Sequence, residues 1–210
     1  MPALTPRSAP KWVTDPAVSV LSRLGVTPNM LTVAGFGGNV VAAVLAADGR
    51  FLAAGIVMLA FSALDFLDGS LARATGRATP FGSVFDATLD RMSEAAVLFG
   101  LLWFFSDWGG REEELLIFGA VVASLMVSYL RARAEVIRLK MREGVFTRTL
   151  RVLLLGGALM AQGVISIDDT NILTPVLYVL TAGAGFTVMQ RLAIVWMETK
   201  GLVDEDHPAT

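Results

Sequence analysis

Cysteine is absent from the chain, and histidine occurs once, at His207 near the end. The first absence excludes disulfides and thiolate metal sites. The second leaves no histidine metal cage and no histidine base in the body of the chain. Charge is scarce as well. Charged residues make up 17% of the 210 residues, 54% are hydrophobic, and mean hydropathy is +0.62. That is the composition of a membrane protein. The net charge of -2 says little, because the arrangement of charge matters more than its sum, and no nucleic-acid partner is expected. The Pro-rich start has no apolar core before Trp12, so no cleavable signal peptide is expected.

What the chain does have is long apolar runs. Six segments, approximately 29–47, 51–72, 81–106, 114–137, 150–167 and 171–196, are long enough to cross a bilayer. Ahead of them, residues 10–24 interleave Trp12, Val13, Val18, Val20 and Leu21 with Lys11, Asp15 and Arg23. This pattern predicts a short amphipathic helix on the membrane surface. With the N-terminus inside, 15 of the 17 basic residues fall on the cytoplasmic side, and only Arg50 and Arg111 fall outside. The outer connectors instead carry Asp48, Asp107, Glu112, Glu113, Glu114, Asp168 and Asp169. This asymmetry predicts a multi-pass protein of the cell membrane with both termini cytoplasmic. The expected fold is all-α and integral to the membrane: six transmembrane helices preceded by the surface helix. Residues 1–24 form the N-terminal segment, 25–200 the helical domain and 201–210 a polar tail.

Inside this apolar chain sit four aspartates. Asp65 and Asp68 are three apart near the end of the second segment; Asp86 and Asp90 are four apart in the third. Either spacing places both members on one helix face. Carboxylates at membrane depth are costly and are functional by default. Two helices offering two each make an oxygen-rich site for hard divalent cations. Gly69 and Ala72 keep the first face small, Arg73 adds a cation, and Thr79-Pro80 and Gly82 open the next helix. The arrangement suits a metal-bound diphosphate, with one carboxylate left to act as general base on an incoming hydroxyl. Ion transport is the rival reading of the acidic residues. It gives no account of Gly69, Ala72, Arg73 and Gly82.

The run Asp65-x2-Asp68-Gly69-x2-Ala72-Arg73-x8-Gly82-x3-Asp86-x3-Asp90 resembles the signature of the CDP-alcohol phosphotransferases in every fixed position. The resemblance implies six transmembrane helices, usually in a homodimer, and transfer of a phosphatidyl-type group from a CDP-linked lipid donor to an alcohol with release of CMP. It implies that Asp65, Asp68 and Asp86 bind two divalent cations, Mg²⁺ or alternatively Mn²⁺. Asp90 matches the general base, with a further contact to metal. Gly69, Ala72 and Arg73 match the nucleotide-holding positions, with Asn29, Thr32 and Thr79 beside them.

The signature does not name the acceptor. Arg131 and Arg133 close the fourth segment, Arg148 and Arg151 open the fifth, and Arg191 lies late in the sixth. An arginine cluster suits a soluble acceptor that carries its own phosphate. The stretch Ser128–Glu135 resembles that of the phosphatidylinositol-phosphate synthase subgroup and its archaeal ether-lipid counterparts, whose acceptor is inositol phosphate. The chain departs from that subgroup at Arg131, where lysine is common, and at Thr149-Leu150, where Pro-Glu is expected. A phosphatidylglycerophosphate synthase, which uses glycerol 3-phosphate, is the alternative. Glu135 is expected to pair with Arg131, four residues away. Gly35-Phe36-Gly37-Gly38 is read as close helix packing.

Overall fold

The computed structural model describes residues 18–108, 110–139, 141, 144–165 and 171–200, except for the side chains of Phe66 and Trp108. Among them, all regular structure is helical. Residues 18–23 are the described part of α1. There follow α2 (Pro28–Ala47), α3 (Phe51–Ser62), α4 (Asp65–Ala74), α5 (Pro80–Trp108), α6 (Arg111–Val136), α7 (Arg148–Val164) and α8 (Leu173–Lys200). These residues form two compact units, one up to Phe104 and one from Phe105 onward.

Among the described residues, four stretches are long and apolar enough to cross a bilayer: Pro28–Ala47, Phe51–Ala74, Arg111–Val136 and Leu173–Lys200. The sequence suggested six. Helix α5 has 29 residues but carries Asp86, Asp90, Arg91 and Glu94 in its first half, and α7 has 17 residues. The second expected segment is present as the stretch Phe51–Ala74, with α3 and α4 joined by a turn at Ala63 and Leu64, both in right-handed helical conformation. Asp65 and Asp68 were expected to end a helix; instead they occupy the first turn of one, with Arg73 in its last turn. Both placements complement the helix dipole, which favours acids at the N-terminus and bases at the C-terminus.

In the first unit, α2 is the central support. Thr27 caps it from an extended conformation, accepting a hydrogen bond from Met30 N at 3.3 Å, and Pro28 fits the first turn. The buried face of α2 carries Leu31, Thr32, Gly35, Gly38, Asn39, Ala42, Ala43 and Ala46, a helical period made mostly of small residues. Such a face lets other backbones approach closely, which is how helices associate where lipid removes the hydrophobic drive. Helices α3 and α4 pack on it. A Cβ at Gly38 would enter the Phe61 ring, and one at Gly100 of α5 would overlap the Ala43 carbonyl. Buried Asn39 donates to Gly35 O (2.9 Å) and accepts from Ser62 Oγ (3.4 Å).

Residues 10–17 of the expected surface helix lie outside the described residues. In the described part, Val18 is buried against Leu31 and Leu71, with Leu21, Val26 and Leu67 packed around them. Val18 and Leu21 therefore turn onto protein. The tail 201–210 also lies outside the described residues.

In the second unit, α8 packs against α6 and α7. The acidic first turn of α6 is tied to α8: Thr174 Oγ1 donates to Glu113 Oε1 (2.5 Å), Tyr178 Oη to Glu112 Oε1 (2.7 Å) and Thr181 Oγ1 to Leu116 O (2.8 Å). At the far end of α6, Leu139 N donates to Ala134 O (2.9 Å) and Arg138 N to Glu135 O (3.0 Å), with Arg138 at φ +60°. This is the Schellman closure, which ordinarily places glycine in the left-handed position. The same closure after α1 and after α2 uses Gly25 and Gly49. Arg138→Gly is therefore expected to stabilise the protein by about 1 kcal/mol, less than the full left-handed penalty because glycine also loosens the unfolded chain. Thermal unfolding in detergent measures this, and an unchanged or lowered Tm counts against it.

Candidate active site

The sequence-predicted aspartates gather in the first unit. Asp68 is 5% exposed. Its Oδ2 accepts from Thr32 Oγ1 at 2.9 Å, and its Oδ1 accepts from Gly69 N. The carboxylates of Asp86 and Asp65 are both near enough to act on it electrostatically. Asp65, Asp86 and Asp90 are half-buried, and Glu94, one turn beyond Asp90, is buried. Asp86, Asp90 and Glu94, spaced four apart, thus form an acidic stripe along α5.

The expected nucleotide-holding residues fall into three small groups. Thr32 is buried on Asp68. Asn29 and Thr79 meet where α2 and α5 begin: Thr79 Oγ1 accepts from Gly82 N (3.0 Å), and a Cβ on Gly82 would stand 3.5 Å from Asn29 Oδ1. Arg73 folds back over its own helix, where a Cβ on Gly69 would stand 3.4 Å from its Nη1, and its Nη2 donates to Ser70 Oγ (3.3 Å). Ala72 is half-buried on the same helix.

The residues suit divalent cations by the chemistry of their donors, which are hard carboxylate oxygens on two helices. The clearance at Gly35 fits as well, because a Cβ there would stand 2.9 Å from Asp65 Oδ1. Among the described residues, no three carboxylate or histidine side chains stand in an arrangement that holds an ion. Asp68 is engaged by Thr32 and Gly69.

The five arginines separate by burial in the second unit. Arg131 and Arg133 are exposed, and Arg131 pairs with Glu135 at 3.4 Å as expected. Arg148 is half-buried at the start of α7. Arg151 is 4% exposed and donates to Phe146 O (3.2 Å) and Ser124 Oγ (3.0 Å). Arg191 is 7% exposed and donates to Val127 O. Phe146 N in turn donates to Thr187 Oγ1 at 3.3 Å. Arg151 and Arg191 thereby tie the approach to α7 and the middle of α6, at Ser124 and Val127, in place.

Sequence reasoning missed Gly35 as a site residue by assigning it to helix packing. The available signal was its position three residues after Thr32, on the same face of α2.

Carboxylates grouped on helices that suit a bilayer belong to membrane enzymes and transporters. Similarity to known proteins decides between these classes. Residues 25–189 match the CDP-alcohol phosphatidyltransferase family, and the chain belongs to that enzyme family. It is similar to the phosphatidylinositol phosphate synthase of Mycobacteroides abscessus, with 34% identity over 198 residues, 93% of this chain and 89% of the relative. Two crystal structures of the Mycobacterium tuberculosis phosphatidylinositol phosphate synthase share the fold. The one with CDP-DAG bound is 33% identical at a TM-score of 0.78, covering 88% of this chain and 94% of that one. The one in complex with manganese and citrate is 32% identical at a TM-score of 0.79, covering 87% and 88%.

Proposed function

We propose that this membrane enzyme transfers the phosphatidyl group of CDP-diacylglycerol, or a related CDP-lipid, to inositol phosphate and releases CMP. The observation that carries this reading is similarity along 93% of the chain to a phosphatidylinositol phosphate synthase. The intact eight-residue signature, Asp65 to Asp90, supports it. Residues 25–200 act as the catalytic domain. It crosses the cell membrane six times, α5 and α7 included, with the active site and both termini cytoplasmic; the basic inner connectors support this topology. A homodimer is the proposed assembly.

Asp65, Asp68 and Asp86 would hold two divalent cations, Mg²⁺ or Mn²⁺, which when bound neutralise the diphosphate and the charge that develops on departing CMP. Thr32 and Gly69 N fix the Asp68 carboxylate in advance. Asn29, Thr79 and Gly82 gather where the nucleotide is proposed to lie, and Arg73 swings from Ser70 to the donor's phosphates. Asp90 takes the proton from the acceptor hydroxyl, whose oxygen then attacks the lipid-linked phosphorus. Arg131, Arg133, Arg148, Arg151 and Arg191 are proposed for the acceptor phosphate, the two buried ones through the backbone they hold as well as through charge.

The test is an acceptor panel with purified protein, CDP-diacylglycerol and Mg²⁺, reading CMP release. Inositol phosphate is expected to support turnover; free inositol and serine are not. Preference for glycerol 3-phosphate would replace the acceptor and keep the chemistry. Preference for a neutral alcohol would remove the arginines from acceptor binding.

A further inference from the structure

Helices α2 and α4 meet along one antiparallel register. Thr32 meets Asp68, Gly35 meets Asp65, and one turn further the register continues into α3, where Gly38 meets Phe61 and Asn39 meets Ser62. The spacing of three between Thr32 and Gly35 repeats the spacing of three between Asp65 and Asp68. The two contacts work differently. Thr32 holds Asp68 by donating to its Oδ2 at 2.9 Å, while its hydroxyl also lies 3.1 Å from Pro28 O. Gly35 makes no bond to Asp65 through a side chain; it leaves room. A Cβ there would stand 2.9 Å from Asp65 Oδ1, nearer than ordinary contact, and 3.4 Å from Phe61 O. The atom it would crowd most is the far end of a side chain with two torsions. The carboxylate would turn, and the helices would stay where they are.

We propose that the Thr32–Gly35 face of α2 is a template that sets the positions of Asp65 and Asp68, and so the enzyme's affinity for divalent cations. Thr32 and Gly35 are positioning residues, and the inference rests on the reading that these carboxylates hold cations. Groups that orient metal ligands from behind commonly alter metal affinity 10–100-fold when changed. Gly38, one turn along the same face, is the internal control. A Cβ there would enter the Phe61 ring, so its nearest contacts are ring atoms and it acts on packing.

The test is Mn²⁺ binding to the purified full-length protein without donor or acceptor, followed by electron paramagnetic resonance, with thermal unfolding in parallel. Gly35→Ala is expected to weaken Mn²⁺ binding roughly 10–100-fold while Tm holds or rises, because alanine is the better helix former. Thr32→Val is expected to weaken binding in the same range, and Thr32→Ser, which keeps the hydroxyl, to restore it. Gly38→Ala is expected to lower Tm. Mn²⁺ bound by Gly35→Ala and Thr32→Val as tightly as by the unaltered protein would overturn the template. So would a loss of binding that only tracks a fall in Tm. An unaltered protein that binds no Mn²⁺ would instead overturn the metal reading itself.

Discussion

Asp90→Asn is expected to lower CMP release by about 10²–10⁴-fold, the range that a positioned general base contributes, while CDP-diacylglycerol binding is retained. Asp90 differs from its neighbours in its place on the helix. Asp65, Asp68 and Asp86 are the proposed cation ligands, and Asp65 and Asp86 both act on the charge of Asp68. Asp90 stands one helical turn beyond Asp86 on the same face of α5. An amide keeps the size of the carboxylate and its capacity to accept a hydrogen bond, yet cannot take a proton at neutral pH. Binding of donor and turnover should therefore come apart in this variant. Asp68→Asn, which alters a member of the set, should lower both. A fully active Asp90→Asn enzyme would remove Asp90 from the base role, and equal losses of donor binding and turnover would return it to the metal set.

Gly100→Val should be the most damaging single change to the fold. A Cβ at Gly100 would overlap the carbonyl oxygen of Ala43 and crowd its carbon and Cα. These are backbone atoms of α2, so no rotamer change relieves the contact and the helices must separate. Overpacking ordinarily costs 1–3 kcal/mol, and a backbone obstacle places this change at or above the top of that range, roughly 3 kcal/mol. For a protein of this size that corresponds to a Tm lower by about 10 °C. Phe51 and Phe104, in edge contact at 4.8 Å, belong to the same packed end. An unchanged Tm for Gly100→Val would mean that α5 does not approach α2 as described. Gly100→Ala should lie between the two, since its single added carbon meets the same oxygen.

These two expectations differ in how far the sequence alone could have led to them. That Asp65 and Asp86 stand near Asp68 was legible because a helix converts spacing into shared direction, and because charge in an apolar chain is conspicuous. The pairing of Arg131 with Glu135 was legible for the same reason. Glycine was not. Gly35, Gly38 and Gly100 read alike in a sequence, but one makes room for a carboxylate, one for a ring and one for a backbone carbonyl. Nothing local distinguishes them, since each role is defined by the atom across the gap. The turn between α3 and α4 was hidden too. Ala63 and Leu64 are good helix formers, and the chain there has neither glycine nor proline to announce it. The burial of individual arginines was not legible: Arg151 and Arg191 sink into the protein while Arg131 and Arg133 stay outside.

The small apolar cluster around Val18 bears on where this protein can be shortened. Similarity to the family begins at residue 25, which invites removal of everything before it. Val18 and Leu21, however, cover Leu31 of α2 and Leu67 and Leu71 of α4, the latter two on either side of Asp68. A chain beginning at Pro28 would keep every residue of the signature and still strip the cover from the helix that carries five of its eight residues. An inactive truncation of that kind would report a lost lid of leucine and valine, with its chemistry intact on paper, and activity assays on shortened versions should begin no later than the residues that supply that cover.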